Sequence, residues 1–139
     1  MESIFDTCQP RREVMEGDLR EDIFAARLTD VTQGRADPVY QDPALFFENT
    51  YHTEGLRLLL DEALGRLGGA RPARNAIIRL ETAFGGGKTH SLIALYHAAR
   101  GFDPGPRFVD PGLTPAPGAA RVVGVVGWDL EPRDGLTHG

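Results

Sequence analysis

Leu80-Glu81-Thr82-Ala83-Phe84-Gly85-Gly86-Gly87-Lys88-Thr89-His90 is the most informative segment of this 139-residue chain, because three glycines run directly into a lysine and a threonine. A phosphate site needs converging backbone N–H groups with no side chain in their way, which glycines provide. Lys88 can then reach the β and γ phosphates of a nucleotide, and the Thr89 hydroxyl can bind Mg²⁺. The segment therefore predicts a phosphate-binding loop.

The loop departs from the general consensus at one position. The consensus G-x-x-x-x-G-K-[ST] begins with glycine, and Thr82 takes that place here. Of the 15 Lys and Arg residues, Lys88 is the single lysine, and its compact ammonium suits crowded phosphate oxygens better than an arginine fork does. The alternative is a glycine-rich turn that binds nothing. The solitary lysine and the flanking elements favour the phosphate site.

The elements on either side of the loop predict the fold class. The run from Ala76 to Leu80 is rich in β-branched residues, as in a buried strand, and Lys88 to Arg100 has helical spacing. A second apolar run, Arg121 to Val126, is typical of a parallel strand covered on both faces. Residues 71–139 are therefore predicted to begin an α/β P-loop NTPase core, a three-layer structure with a parallel sheet, which is incomplete within this chain.

Residues 1–70 are predicted to form a mostly helical segment. Apolar spacing predicts helices from Glu21 to about Thr32, from Ala44 to Glu48, and from Thr53 to Leu67, the last capped by Thr53. Two Asp-Pro pairs predict a turn over residues 36–43. Further along, nine of the nineteen residues in 101–119 are Gly or Pro, which predicts an exposed connection between the loop's helix and the second strand.

The candidate site residues follow from their places in the loop. Lys88 is the candidate catalytic residue, and Thr89 is the candidate Mg²⁺ ligand. The candidate residues for binding ATP with Mg²⁺ are Gly85, Gly86, Gly87, Lys88, Thr89 and His90. Two interpretations of His90 stay open, a phosphate contact and a place on the helix surface; the surface is the commoner case for a helical histidine. His97 is assigned a structural role.

A second acidic element is a weaker candidate. Asp129 resembles the acid that ends a Walker B strand, with Glu131 as the base beside it. An ordinary acid at the end of a strand is favoured, because Gly127 and Trp128 interrupt the apolar run before Asp129.

Composition narrows the class of protein. A net charge of −5 argues against this segment binding nucleic acid by itself. No apolar run approaches the roughly 18 residues that cross a membrane, and the start lacks the pattern of a signal peptide. The single cysteine, Cys8, fits a reducing compartment. We therefore expect a cytoplasmic protein without membrane contact.

The loop and its surroundings also resemble a known family. The segment from Leu80 to Leu92, preceded by Tyr40-Gln41-Asp42-Pro43, Phe46-Phe47 and Thr50-Tyr51, is similar to the start of the large ATPases called domain of unknown function 499. The similarity spans nearly all 139 residues. The form Thr-x-Phe-Gly-Gly-Gly-Lys-Thr-His is typical of that family, so the resemblance accounts for Thr82.

The resemblance implies an AAA-like or RecA-like ATPase of bacterial or archaeal anti-phage defence, found beside DNA methylase-like and helicase-like proteins. It implies ATP as the nucleotide and carries over residues 85–89 as phosphate ligands. Members are several times longer than this chain, so their Walker B, sensor and arginine-finger elements are expected beyond residue 139. The chain is accordingly expected to be an amino-terminal fragment without ATPase turnover of its own, and any contact with DNA or defence proteins is expected outside it.

Three functions are compatible with these residues. The leading one is an ATP hydrolase that drives work on DNA or on a partner protein. A small-molecule or nucleotide kinase shares the loop but needs lid arginines, and nothing beyond residue 101 offers such a lid. The third is a non-catalytic fragment in which the helices from Glu21 to Leu67 dock a partner and the loop is vestigial.

Overall fold

The computed structural model of the chain describes residues 8, 15–17, 26–81 and 87–127. Five helices have defined bounds within these residues: α1 (Leu28–Thr32), α2 (Pro38–Gln41), α3 (Pro43–Glu48), α4 (Glu54–Leu67) and α5 (Lys88–Ala99). In this part of the chain, no helix combines the length and the apolar character that a membrane span requires.

The two Asp-Pro pairs start helices rather than a simple turn. Asp37 accepts a hydrogen bond from the Val39 N–H at 3.0 Å, and Asp42 accepts one from the Ala44 N–H at 2.8 Å. Each proline occupies the first position of its helix, where a missing N–H costs nothing and the fixed φ is already helical. The turn predicted for residues 36–43 was therefore wrong in detail, because residues 38–41 are helical.

Helix α4 confirms its sequence prediction within one residue. The Thr53 hydroxyl caps it by accepting a hydrogen bond from the Leu56 N–H at 3.2 Å. The inward leucines Leu56, Leu59, Leu60 and Leu64 are buried. Burial of one such side chain contributes about 1.5–3 kcal/mol, so packing of this face stabilises a helix that would be marginal in isolation.

Helix α5 lies at the centre of the structure and contacts α1, α3 and α4. Its Ile93, Ala94 and Ala98 are completely buried. The helix ends at Ala99, and Gly101, two positions later, has a φ of +105°. A Cβ atom on Gly101 would lie 2.5 Å from the Pro117 Cα, so the glycine allows the chain of residues 101–119 to turn back against the helix end.

The glycine- and proline-rich residues 101–119 pack against the helices. Phe108, Val109 and Leu113 are buried in the core, and the Asp110 carboxylate is bound by two arginines of the α4 region. The prediction of an exposed connection was therefore wrong for the middle of this segment. Its apolar residues, spaced between the prolines and glycines, supply enough buried surface to fix irregular backbone.

The parallel sheet predicted from the sequence is absent from the described residues, which contain helices and irregular segments and no strand. Ile77 is 86% exposed and Val123 is 82% exposed, although both were expected to be buried strand residues. Residues 75–81 and 120–127 form no backbone–backbone hydrogen bond with any described residue. The predicted α/β P-loop NTPase core was therefore wrong.

The physical reason is that β propensity measures how well a side chain fits a paired, half-buried surface, and pairing needs a neighbouring strand. The apolar run at residues 121–126 packs on a helix instead of pairing with a strand. A Cβ atom on Gly124 would lie 2.7 Å from the Thr32 Cγ2, so this segment passes directly over α1. Val122 packs against the helical core from the same segment. Val122 thus gains burial without a ladder, whereas Val123 stays exposed.

Candidate phosphate-binding site

Gly87 sets the start of α5. It has a φ of +74°, a left-handed conformation that other residues rarely adopt, and a Cβ there would meet nothing within 4 Å. Glycine is therefore required for its backbone conformation rather than for space. The Gly87 carbonyl oxygen accepts the Ser91 N–H at 2.9 Å and the Ser91 hydroxyl at 3.0 Å, which fixes the first turn of α5.

The first turn of α5 carries the two side chains on which the phosphate prediction depends. Lys88 is half-buried and Thr89 is exposed. The first N–H groups of any helix lack partners within the helix, and the helix dipole adds partial positive charge there. This end of α5 therefore has the chemistry of an anion-binding position, to which Lys88 adds a full positive charge.

Several predicted site residues lie outside the described part of the chain. They are Thr82, Gly85 and Gly86 of the loop, together with Asp129 and Glu131. Their assigned roles stay predictions.

A cavity of about 430 Å³ opens beside Thr89. It is bounded by the start of α1, by one face of α5 and by the end of the apolar run, with the lining residues Ala26, Arg27, Leu28, Thr29, Thr89, Leu92, Val125, Val126 and Gly127. Small-molecule sites usually measure about 300–1,000 Å³ and combine apolar walls with a few polar groups. Arg27, Thr29 and Thr89 are the residues with polar side chains in this lining.

His90 faces the N-terminal helices. Its ring stacks on Phe46 with centroids 4.5 Å apart, and its Nε2 lies 2.9 Å from the Thr50 Oγ1. The Thr50 hydroxyl donates its single proton to the Phe46 carbonyl oxygen at 2.6 Å. The Thr50 oxygen must then accept from His90, so we assign the proton to His90 Nε2.

His97 has a structural contact, at the other end of α5. Its side chain is 5% exposed, and its Nε2 donates a hydrogen bond to the Tyr40 carbonyl oxygen at 2.8 Å. Burial lowers the pKa of His97, and the hydrogen bond to Tyr40 opposes that shift only in part. The imidazole is therefore neutral at pH 7 and ties α2 to α5.

A sequence profile of the DUF499 N-terminal domain matches residues 5–104. This match covers well over half of the 139 residues, including all of α1 to α5. The chain belongs to the DUF499 family. The match ends at residue 104, short of the nearly complete similarity expected from the sequence. No curated protein and no solved structure matches the chain.

The DUF499 chain offers few protein ligands for a metal ion. In residues 26–81 and 87–127, with Cys8 and 15–17, no group of three or more His, Cys, Asp or Glu side chains could hold one. Mg²⁺ commonly keeps several waters and is bound by one or two protein groups together with substrate phosphates. The exposed Thr89 hydroxyl on the first turn of α5 could supply one such protein ligand.

Two features of this DUF499 site were missed at the sequence level. Arg27 and Thr29 line the cavity with Thr89, which follows them by about sixty positions, and no local pattern joins them. Thr50 lies forty positions before His90. The apolar pair Phe46-Phe47 gave the one available signal, since it indicated a short helix that needs a covering surface.

Proposed function

We propose that this DUF499 chain binds ATP with Mg²⁺ through residues 85–89 at the start of α5. The observation that carries the proposal is the geometry of that helix start: Gly87 at a φ of +74° leads into a turn bearing Lys88 and Thr89, beside a cavity of about 430 Å³. In this assignment the Lys88 ammonium binds the β and γ phosphates, the Thr89 hydroxyl binds Mg²⁺, and the loop N–H groups bind phosphate oxygens.

The wider role forms a second, separate part of the proposal. We propose that nucleotide binding here serves a cytoplasmic AAA-like ATPase that acts in anti-phage defence or another DNA-related process of bacteria or archaea. Family resemblance and the single cysteine support this part. Methylase-like and helicase-like proteins and DNA would then be engaged through regions outside this chain, in keeping with its net charge of −5.

Lys88→Ala tests the binding site. We expect Lys88→Ala to abolish measurable binding of Mg-ATP, which means a loss of affinity of at least about 10- to 100-fold. The reason is that each hydrogen bond to a charged group contributes about 1.5–3 kcal/mol, and the Lys88 ammonium is assigned more than one hydrogen bond to the phosphates. Isothermal titration calorimetry of the full chain measures the affinity, and thermal unfolding verifies that the variant is folded.

Arg107→Ala is the matched control, since it removes one positive charge from an exposed side chain that does not line the cavity. We expect its affinity for Mg-ATP to equal that of the wild type. Equal binding by Lys88→Ala and wild type would refute the site assignment. No binding by the wild type would refute the proposed function.

A further inference from the structure

Thr50 joins the C-terminal end of α3 to the first turn of α5. Its side chain is 8% exposed, and its hydroxyl oxygen has two partners, the Phe46 carbonyl at 2.6 Å and His90 Nε2 at 2.9 Å. Both partners are well placed for hydrogen bonds at these distances. Loss of this hydroxyl would take a hydrogen-bond partner from both the Phe46 carbonyl and His90 Nε2. Because these groups are largely shielded from water, the loss would cost more free energy than the loss of an exposed hydrogen bond.

The His90 ring is fixed by stacking as well as by hydrogen bonding. Phe46, which is 1% exposed, stacks on one face of the ring at an interplanar angle of 30°. His90 immediately follows Thr89 and lies two positions after Lys88, so all three belong to the first turn of α5. A contact that fixes His90 therefore also limits how that turn can tilt or fray.

Helix α3 depends on these contacts for its own stability. It has only six residues, too few to be stable as an isolated helix. Its cap at Asp42 is exposed, so packing of Phe46 and Phe47 provides most of its anchoring. Short elements of this kind open locally at lower free energy than the central core does.

We propose that Thr50 and His90 act as positioning residues for nucleotide binding, holding the first turn of α5 in its phosphate-binding geometry and coupling bound nucleotide to the stability of α3. This inference rests on the proposed function. Because coupling between two sites is reciprocal, nucleotide must then stabilise α3 by the same factor by which an intact α3 raises nucleotide affinity.

Thr50→Val and Thr50→Ser form the first pair of variants. Valine keeps the shape of threonine and removes the hydroxyl, whereas serine keeps the hydroxyl. At 25 °C, once thermal unfolding has verified that both variants are folded, we expect Thr50→Val to bind Mg-ATP roughly 3- to 10-fold more weakly than the wild type and Thr50→Ser to keep most of the wild-type affinity. A purely structural role would lower the melting temperature of Thr50→Val and leave its affinity at 25 °C unchanged.

His90→Gln and His90→Leu form the second pair. The glutamine amide can place an N–H near the position of the histidine Nε2, and leucine cannot. We expect His90→Gln to keep more affinity than His90→Leu. We also expect Thr50→Val combined with His90→Leu to bind no more weakly than His90→Leu alone, since the two changes remove one shared interaction.

Hydrogen exchange followed by mass spectrometry measures the reciprocal effect. Saturating Mg-ATP should slow amide exchange in residues 43–50 of the wild-type chain, and should slow it less in Thr50→Val. Wild-type binding with unchanged affinity in Thr50→Val, or with unchanged exchange in residues 43–50, would overturn this inference and leave the proposed function standing. No binding by the wild type would overturn both.

Discussion

In the proposed function, Thr89 is the residue whose chemistry separates nucleotide binding from simple anion binding. Its side chain is exposed on the first turn of α5 and lines the cavity with Arg27. Any helix start with a lysine attracts anions, but a hydroxyl beside them adds an oxygen ligand for a hard cation such as Mg²⁺. The magnesium dependence of binding therefore reports on Thr89 in particular.

Thr89→Ala should weaken binding of ATP in the presence of Mg²⁺ and change it little in EDTA, because under the proposed assignment it removes a metal ligand and no phosphate contact. Thr89→Ser, which keeps the hydroxyl, should bind as the wild type does under both conditions. Calorimetric titrations with and without Mg²⁺ measure the difference. An equal loss under both conditions would assign Thr89 to phosphate contact or to folding instead.

At the scale of elements, the segment 121–126 packs on α1 at a position where only glycine fits. A Cβ on Gly124 would lie 2.7 Å from the Thr32 Cγ2 and 3.4 Å from the Leu28 Cγ. The Thr32 hydroxyl is held by a 2.9 Å hydrogen bond to the Thr29 carbonyl, so its methyl group cannot easily rotate away. The three residues that follow Gly124 line the cavity beside Thr89.

Gly124→Ala should therefore lower the free energy of unfolding by about 1–3 kcal/mol, as overpacked contacts do. That loss exceeds the gain of about 0.4–1 kcal/mol that alanine brings by restricting the unfolded chain. Thr32→Ser removes the opposing methyl and keeps the hydroxyl, so the double variant should recover part of the loss. Urea unfolding measures all three variants. Strict additivity would show that the two residues do not meet.

The sequence predicted α4 and α5 well because their signals are local, whereas the helix predicted from Glu21 to about Thr32 begins only at Leu28, after the extended Arg27. Thr53 capping a leucine-periodic run fixed α4, and glycine before Lys88 marked the start of α5. The predictions of strands were wrong because they rested on the β-branched side chains of Ile77 and Val123, which are typical of buried strands. Burial depends on partner segments that no local pattern specifies. The places of Gly87, Lys88 and Thr89 at the start of α5 followed from their order in the sequence. Its tertiary contacts did not.

At the scale of the whole molecule, the described residues share a core around α5, and charged groups hold residues 101–119 against that core. The Asp110 carboxylate binds Arg57 at 2.7 Å and Arg71 at 2.8 Å, and the Asp110 N–H donates to the Asp61 carboxylate at 2.8 Å. The hydrogen bond from Arg71, followed by that from Arg57, lowers the pKa of Asp110. Asp110 therefore favours the folded state in its ionised form.

The sign of the pH dependence follows from that lowered pKa. Stability from Asp110 is fully present above the unfolded pKa, near 3.9, and is lost as pH falls through the lower folded value. Asp110→Asn should be less stable than the wild type at pH 7 and should lose less stability on acidification. Urea midpoints between pH 7 and pH 2 measure this, with the exposed Glu48→Gln as control. Parallel curves for Asp110→Asn and wild type would contradict it.

The same arginine–aspartate contacts can form only late in synthesis on the ribosome, because Asp110 follows α4 at a distance in the chain. Asp110 lies 43 positions beyond Leu67, the last residue of α4. At ~5–20 residues per second, roughly 2–9 s of synthesis separate the completion of α4 from the appearance of Asp110. Leu60 and Leu64, which end fully buried, lack α5 until residues 88–99 have been synthesised, and they lack residues 108–113 throughout that interval. Nascent α4 therefore leaves apolar leucines uncovered until these later residues of the core have been synthesised.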